Sequence, residues 1–119
     1  MKISEIKEIL DAKVLCCEEL LNVEAVSACG SDMMSDVLAF VKDQSILLTG
    51  LVNPQTVRTA MMMDMNAIAF VRGKLPDESV VALAAENDIV VLSTEYRLYT
   101  ACGKLYSAGL FADGSDKVA

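Results

Sequence analysis

The sequence predicts one three-layer α/β domain, with a mainly parallel sheet of four to five strands and helices on both faces. Three observations carry this. The segments "ILLT", "AIAFV" and "IVVL" are continuously apolar instead of alternating, as expected of strands covered on both faces of a parallel sheet. Between them lie stretches of helical length whose apolar residues recur every three or four positions. The connections are short, which suits strand–helix–strand units and excludes most other topologies. At 119 residues the chain has room for one ordinary core.

Taken in order, Ser4 is placed to cap a short helix through Leu10, with Ile3, Ile6, Ile9 and Leu10 at helical spacing. "KVLCC" reads as a strand, Glu18 to Leu21 as a connection, and "VEAVSACG" as a second short strand ending at Gly30. Ser31 or Asp32 caps the next helix, where Met34, Val37, Leu38 and Val41 recur at i, i+3, i+4, i+7 and mark a core face. A regular series follows: strand 45–49, helix 54–64, strand 67–71, helix 77–87, strand 89–93, helix 95–109. Asn53-Pro54 reads as cap and first position of its helix. Ser93-Thr94 reads as the cap of the last one. The domain spans residues 1–110, and 111–119, ending "ADGSDKVA", reads as a disordered tail. The first 30 residues fit either an antiparallel edge or a separate hairpin. The βα units recur at about 21 to 23 residues, the ordinary pitch of alternating α/β structure.

The apolar fraction is 54%, yet no apolar run approaches the roughly 18 residues that cross a bilayer. The opening "MKISEIKEIL" spaces charges through itself and is not a secretory signal. The expected location is the cytoplasm. A net charge of −7 repels nucleic acid and anionic membrane, so neither is expected as a partner. The imbalance is local: Val14 to Val41 carries Glu18, Glu19, Glu24, Asp32 and Asp36 and no Lys or Arg, whereas Arg58, Arg72, Lys74, Arg97 and Lys104 lie later. An anionic ligand belongs with the second half.

Enzyme constellations are scarce. The chain has no histidine, so a Ser-His-Asp or Cys-His device cannot be built. Cys16, Cys17, Cys29 and Cys102 form no CxxC pair, and adjacent Cys16 and Cys17 on a strand point to opposite faces. They read as buried thiols, with no metal. GxGxxG is absent, and Gly103-Lys104 is followed by Leu105, so there is no P-loop. Asp32 and Asp36, at i and i+4, offer the alternative of a small Mg-dependent phosphate-handling enzyme; helix-start carboxylates favoured by the macrodipole are the plainer account. No catalytic residue and no cofactor is assigned.

Two sets of residues stand out. In an open parallel sheet ligands bind beyond the carboxyl ends of the strands, which selects Thr49, Gly50 and Asn53, then Arg72 and Lys74 around Gly73, then Ser93 and Thr94. Hydroxyls, amides freed by glycine and two cations suit a phosphate; turns, a solvated loop and a helix cap account for the same residues without a ligand. The second set is for contact with a protein. "AMMMDM" sets Met61, Met62, Met63 and Met65 within about one and a half turns of helix, so at least one points away from the sheet, and Met61, Met62 and Met65 are the contact candidates. Tyr99, Gly103 and Tyr106 lie at i, i+4, i+7 beside the core stripe Leu98, Cys102, Leu105, and the glycine makes a shallow notch. A homodimer through one of these surfaces is expected, or else contact with another protein.

"SDVLAF" (35–40) in the first long helix, "LLTG" (47–50) closing a strand, "NP" (53–54) opening a helix, and a late Tyr- and Gly-containing helix ending near Gly109-Leu110 together resemble DRTGG-domain proteins over residues 1–110. Asp43-Gln44-Ser45 stands where an Asp-Arg-Thr-like segment is expected, and Thr49-Gly50 matches. Such domains look like the amino-terminal domain of HPr kinase/phosphorylase, accompany CBS pairs in some pyrophosphatases and occur in phosphotransacetylase-like chains. The resemblance implies a regulatory or dimerising accessory module without kinase activity. The expected function is therefore a non-catalytic module that senses an adenine nucleotide or other anion at the strand ends and dimerises.

Overall fold

The computed structural model describes residues 1–40 and 45–112. Val41, Asp43-Gln44 and the expected tail from residue 113 lie outside the described residues. Five strands, β1 (Lys13–Cys16), β2 (Ala28–Gly30), β3 (Ile46–Thr49), β4 (Ala67–Phe70) and β5 (Val90–Ser93), form one sheet in the order β1-β5-β4-β3-β2. β2 to β5 are parallel, with Ile46 opposite Ala67 and Ala67 opposite Val90. β1 runs antiparallel to β5, and its register slips between Val14 and Cys16, leaving Leu15 as the extra residue of a bulge. The first 30 residues thus supply both edges of the sheet.

The helices are α1 (Ile3–Ile9), α2 (Met34–Phe40), α3 (Pro54–Met62), α4 (Glu78–Glu86) and α5 (Leu98–Ser107). Alternation along each strand sorts them into two layers. Leu47, Ile68, Phe70 and Val91 face one side, packed with Met34 and Val37 of α2, Val57 and Ala60 of α3, and Val80 and Ala84 of α4. Ile46, Leu48, Ala67, Ala69, Val90 and Leu92 face the other, against Ile3 and Ile6 of α1 and Ala101 and Leu105 of α5. The small side chains of β4 leave room there for two helices. The three-layer, mainly parallel architecture read from the sequence is the architecture found.

From β2 to β5 each strand lies beside its predecessor, and the connecting helices all lie on one face. The strand order never reverses within this run, so the crevice of a doubly wound sheet does not form there. A strand-end site must be built by the loops themselves.

Local details differ from the expectations at four helix starts or strand ends. α1 starts at Ile3, ahead of Ser4: the Ile3 and Ser4 amides donate to the Val23 and Leu21 carbonyls at 3.0 and 2.8 Å, and the Glu5 carboxylate accepts from the Lys2 amide at 3.1 Å. Tertiary contact replaces the expected cap. α5 is capped at Arg97, three residues beyond Thr94. Ser93 and Thr94 instead donate their hydroxyls to the Lys74 and Leu10 carbonyls at 3.1 and 2.6 Å, the second bond tying α1 to β5. β1 ends at Cys16 because Cys17 takes a left-handed conformation (φ 61°), so the two cysteines do not alternate on one strand. α2 begins at Met34; Ser31 Oγ accepts from the Met33 amide at 3.0 Å, while Asp32 turns toward β3. Leu38, expected on the core face of α2, is exposed.

Asn53 behaves as expected: its side chain accepts from the Thr56 amide at 3.2 Å and Pro54 opens α3. At the far end, Phe111 is docked, not part of a tail. Its carbonyl accepts from the Ala28 amide at 3.0 Å, and its ring meets Tyr106 edge-on with centroids 4.8 Å apart. This covers part of the open edge of β2.

Candidate functional site

At the carboxyl ends of β2, β3 and β4 three loops converge on one carboxylate. Oδ1 of Asp32 accepts from the Gly50 amide at 2.7 Å and from Thr49 Oγ1 at 3.0 Å. Oδ2 faces the Arg72 guanidinium at 3.8 Å. Thr49 is fully buried, and its hydroxyl also accepts from the Leu51 amide at 3.1 Å. The backbone of Arg72 is left-handed (φ 62°), with its amide on the Tyr96 carbonyl at 2.8 Å, which aims the side chain back over β3. There the guanidinium lies where a Gly50 side chain would be, so glycine is what allows the arginine to reach toward Asp32. Gly73 follows at φ +68°, its Cα facing the Glu95 carboxylate.

The Gly50 amide chiefly, with the Thr49 hydroxyl, Arg72 and Lys74, holds the Asp32 carboxyl below its ordinary value against the opposing effect of desolvation. Amide, hydroxyl and guanidinium, with the charge of Lys74 acting on the same group, thus form an anion cradle whose present occupant belongs to the chain itself.

Of the seven residues picked for a ligand, Thr49, Gly50 and Arg72 are brought together, with the charge of Lys74 acting on the same group. The side chains of Asn53, Ser93 and Thr94 are committed to the α3 cap, the Lys74 carbonyl and the Leu10 carbonyl. Asp32 is the member that the strand-end pattern does not select; its sequence spacing pairs it with Asp36 instead. Asp32 precedes α2 and Asp36 stands exposed in its first turn, so the two do not share a helix face. Among the described residues no group of three or more His, Cys, Asp or Glu could hold a metal ion.

The surface set divides as well. Met61 and Met62 are exposed, whereas Met65 is 4% exposed and packs in the α2–α4 core layer, with no free face for a partner. Tyr99 is 92% exposed, Tyr106 is exposed, and nothing lies within 4 Å of a Cβ placed on Gly103. With Ile9, Cys102 and Lys104 they line an open groove of ≈ 990 Å³ along α5. No helix among the described residues is long and apolar enough to cross a membrane.

The family model of the DRTGG domain matches residues 5–108. The chain belongs to the DRTGG domain family. No curated protein sequence matches this DRTGG domain. Among solved structures it is similar to the CBS and DRTGG domains of the regulatory region of Clostridium perfringens pyrophosphatase, complexed with the activator diadenosine tetraphosphate. The TM-score is 0.69 at 18% identity, over 87% of this chain and 45% of that one. The DRTGG domain therefore spans less than half the length of that structure, and the likeness establishes its fold.

Proposed function

We propose that this DRTGG domain is a non-catalytic regulatory module that senses an anionic ligand, an adenine nucleotide, at the ends of β3 and β4 and self-associates through α5 or the exposed methionines of α3. The observation that carries the reading is the cradle of Thr49, Gly50 and Arg72, built to hold a negatively charged group. The neighbour's regulatory region is complexed with a nucleotide activator, which supports the choice of ligand class. A role like that of the amino-terminal domain of HPr kinase/phosphorylase, an accessory to catalysis elsewhere, fits the same picture.

Light scattering over about a hundredfold range of protein concentration, with and without ATP, ADP, AMP or diadenosine tetraphosphate, tests both halves. A stable dimer whose mass or elution shifts with one nucleotide supports the proposal. A monomer indifferent to all four overturns it. Gly103→Trp fills the notch and should weaken a dimer built on α5; unchanged mass moves the contact to Met61 and Met62.

A further inference from the structure

Asp32 does in the free protein what a ligand's anion would do. We propose that Asp32 is a built-in competitor, and that a phosphate group enters the cradle of Thr49, Gly50 and Arg72 only by exchange with the Asp32 carboxylate. This rests on the ligand-sensing reading and adds to it a regulation of the same site.

Four considerations argue for exchange instead of a permanent structural bond. The contact with Arg72 is loose: at 3.8 Å the guanidinium is beyond hydrogen-bond distance, and the side chains of Arg72 and Asp32 are 47% and 46% exposed. A phosphate group presents more acceptor oxygens than a carboxylate, enough to take the Gly50 amide and the Thr49 hydroxyl and still draw Arg72 into a bidentate contact. Two anions cannot share the cradle, since like charges at that separation disfavour one another. Asp32 also lies in the loop ahead of α2, so swinging it outward breaks no helical hydrogen bond. The consequence is discrimination by charge: a multivalent phosphate displaces the carboxylate, and a weakly charged anion does not.

The test is a titration of the full chain with inorganic pyrophosphate, followed by the Gly50 amide in two-dimensional NMR spectra. Asp32→Asn removes the charge but keeps an oxygen for the Gly50 amide and the Thr49 hydroxyl. It should bind pyrophosphate about ten-fold tighter than the wild type, and adding Arg72→Ala should abolish that gain. Glu86→Gln makes the same change in net charge on the exposed end of α4 and should leave the affinity within about two-fold. Should Asp32→Asn fail to fold, Asp32→Ser removes the carboxylate while keeping a hydroxyl, with the same expectation. Equal affinity in wild type and Asp32→Asn, an equal gain in Glu86→Gln, or a Gly50 amide that moves in no variant would each overturn the proposal. The two readings fail separately. Nucleotide-dependent mass without any Gly50 response leaves the sensing module with another site, whereas a pyrophosphate gain without nucleotide binding keeps the competition and removes the nucleotide.

Discussion

Asp32 Oδ1 lies 2.7 Å from the Gly50 amide and ties the loop after β2 to the end of β3, 18 positions later in sequence. The Gly50 amide foremost, then the Thr49 hydroxyl, Arg72 and Lys74, hold this carboxyl below its ordinary value. A depressed folded-state pKa means that the stabilisation is fully present above the unfolded value, near 4, and is lost as pH falls through the folded value. Asp32→Asn should cost about 1 kcal/mol or less at neutral pH, because the Asp32 and Arg72 side chains are half exposed and the asparagine oxygen still accepts from the Gly50 amide. The gap between variant and wild type should close as the pH falls below the unfolded value, near 4. Urea unfolding across that window measures it; a gap that widens toward acid would contradict the sign.

The two loop glycines should respond differently to alanine. At Gly73 the backbone is left-handed (φ +68°) and a Cβ would meet the Glu95 carboxylate, so Gly73→Ala should cost about 1 to 2 kcal/mol. At Gly50 the obstacle is the far end of the flexible Arg72 side chain. Gly50→Ala should change stability by only about 0.5 kcal/mol while pushing the guanidinium off Asp32. Denaturation midpoints separate the two, and a crystal structure of Gly50→Ala would show whether Arg72 has moved.

The sheet was legible because continuous apolar runs report burial on both faces, and "ILLT", "AIAFV" and "IVVL" all became central strands. What escaped the sequence was settled by distant partners. The start of α1 depends on carbonyls of Leu21 and Val23, and Thr94 is drawn away from capping α5 by the Leu10 carbonyl 84 positions earlier. The same holds at the candidate site: glycine, threonine and arginine at strand ends flag a cradle, but that Asp32 sits in it follows only from β2 pairing with β3. An Asp before a helix gives no local sign of whether it will cap that helix or reach across to the next strand. Met65 misled because "AMMMDM" continues in sequence beyond the end of α3, and the turn after Met62 carries it into the core.

Thr59 on α3 is fully buried, and its hydroxyl has no hydrogen-bond partner among the described residues. An unmet buried hydroxyl costs about 1 to 3 kcal/mol. Valine keeps the shape and the branching while removing the polar atom. Thr59→Val should therefore stabilise the protein by about 1 kcal/mol, for a rise of several degrees in Tm. Unchanged or lowered Tm would mean that the hydroxyl has a partner after all.

Cys17, Cys29 and Cys102 should be inert at ordinary pH. Burial first, then the neighbouring Cys16 thiol and the charges of Glu19 and Asp88, push Cys17 up to about 12. Burial likewise raises Cys29 and Cys102. The thiolate is the reacting species, and a pKa of about 12 leaves on the order of one thiolate in ten thousand at pH 8. A free cysteine at the same pH is roughly one quarter ionised. The left-handed backbone at Cys17 ends β1 beside Cys16, whose own thiol donates to the Ile89 carbonyl at 3.3 Å against the sheet edge. Iodoacetamide at pH 8 followed by mass spectrometry should label Cys17 orders of magnitude more slowly in the folded chain than in urea. Labelling at the unfolded rate would place that edge of the sheet in water and remove the packing that defines the end of β1.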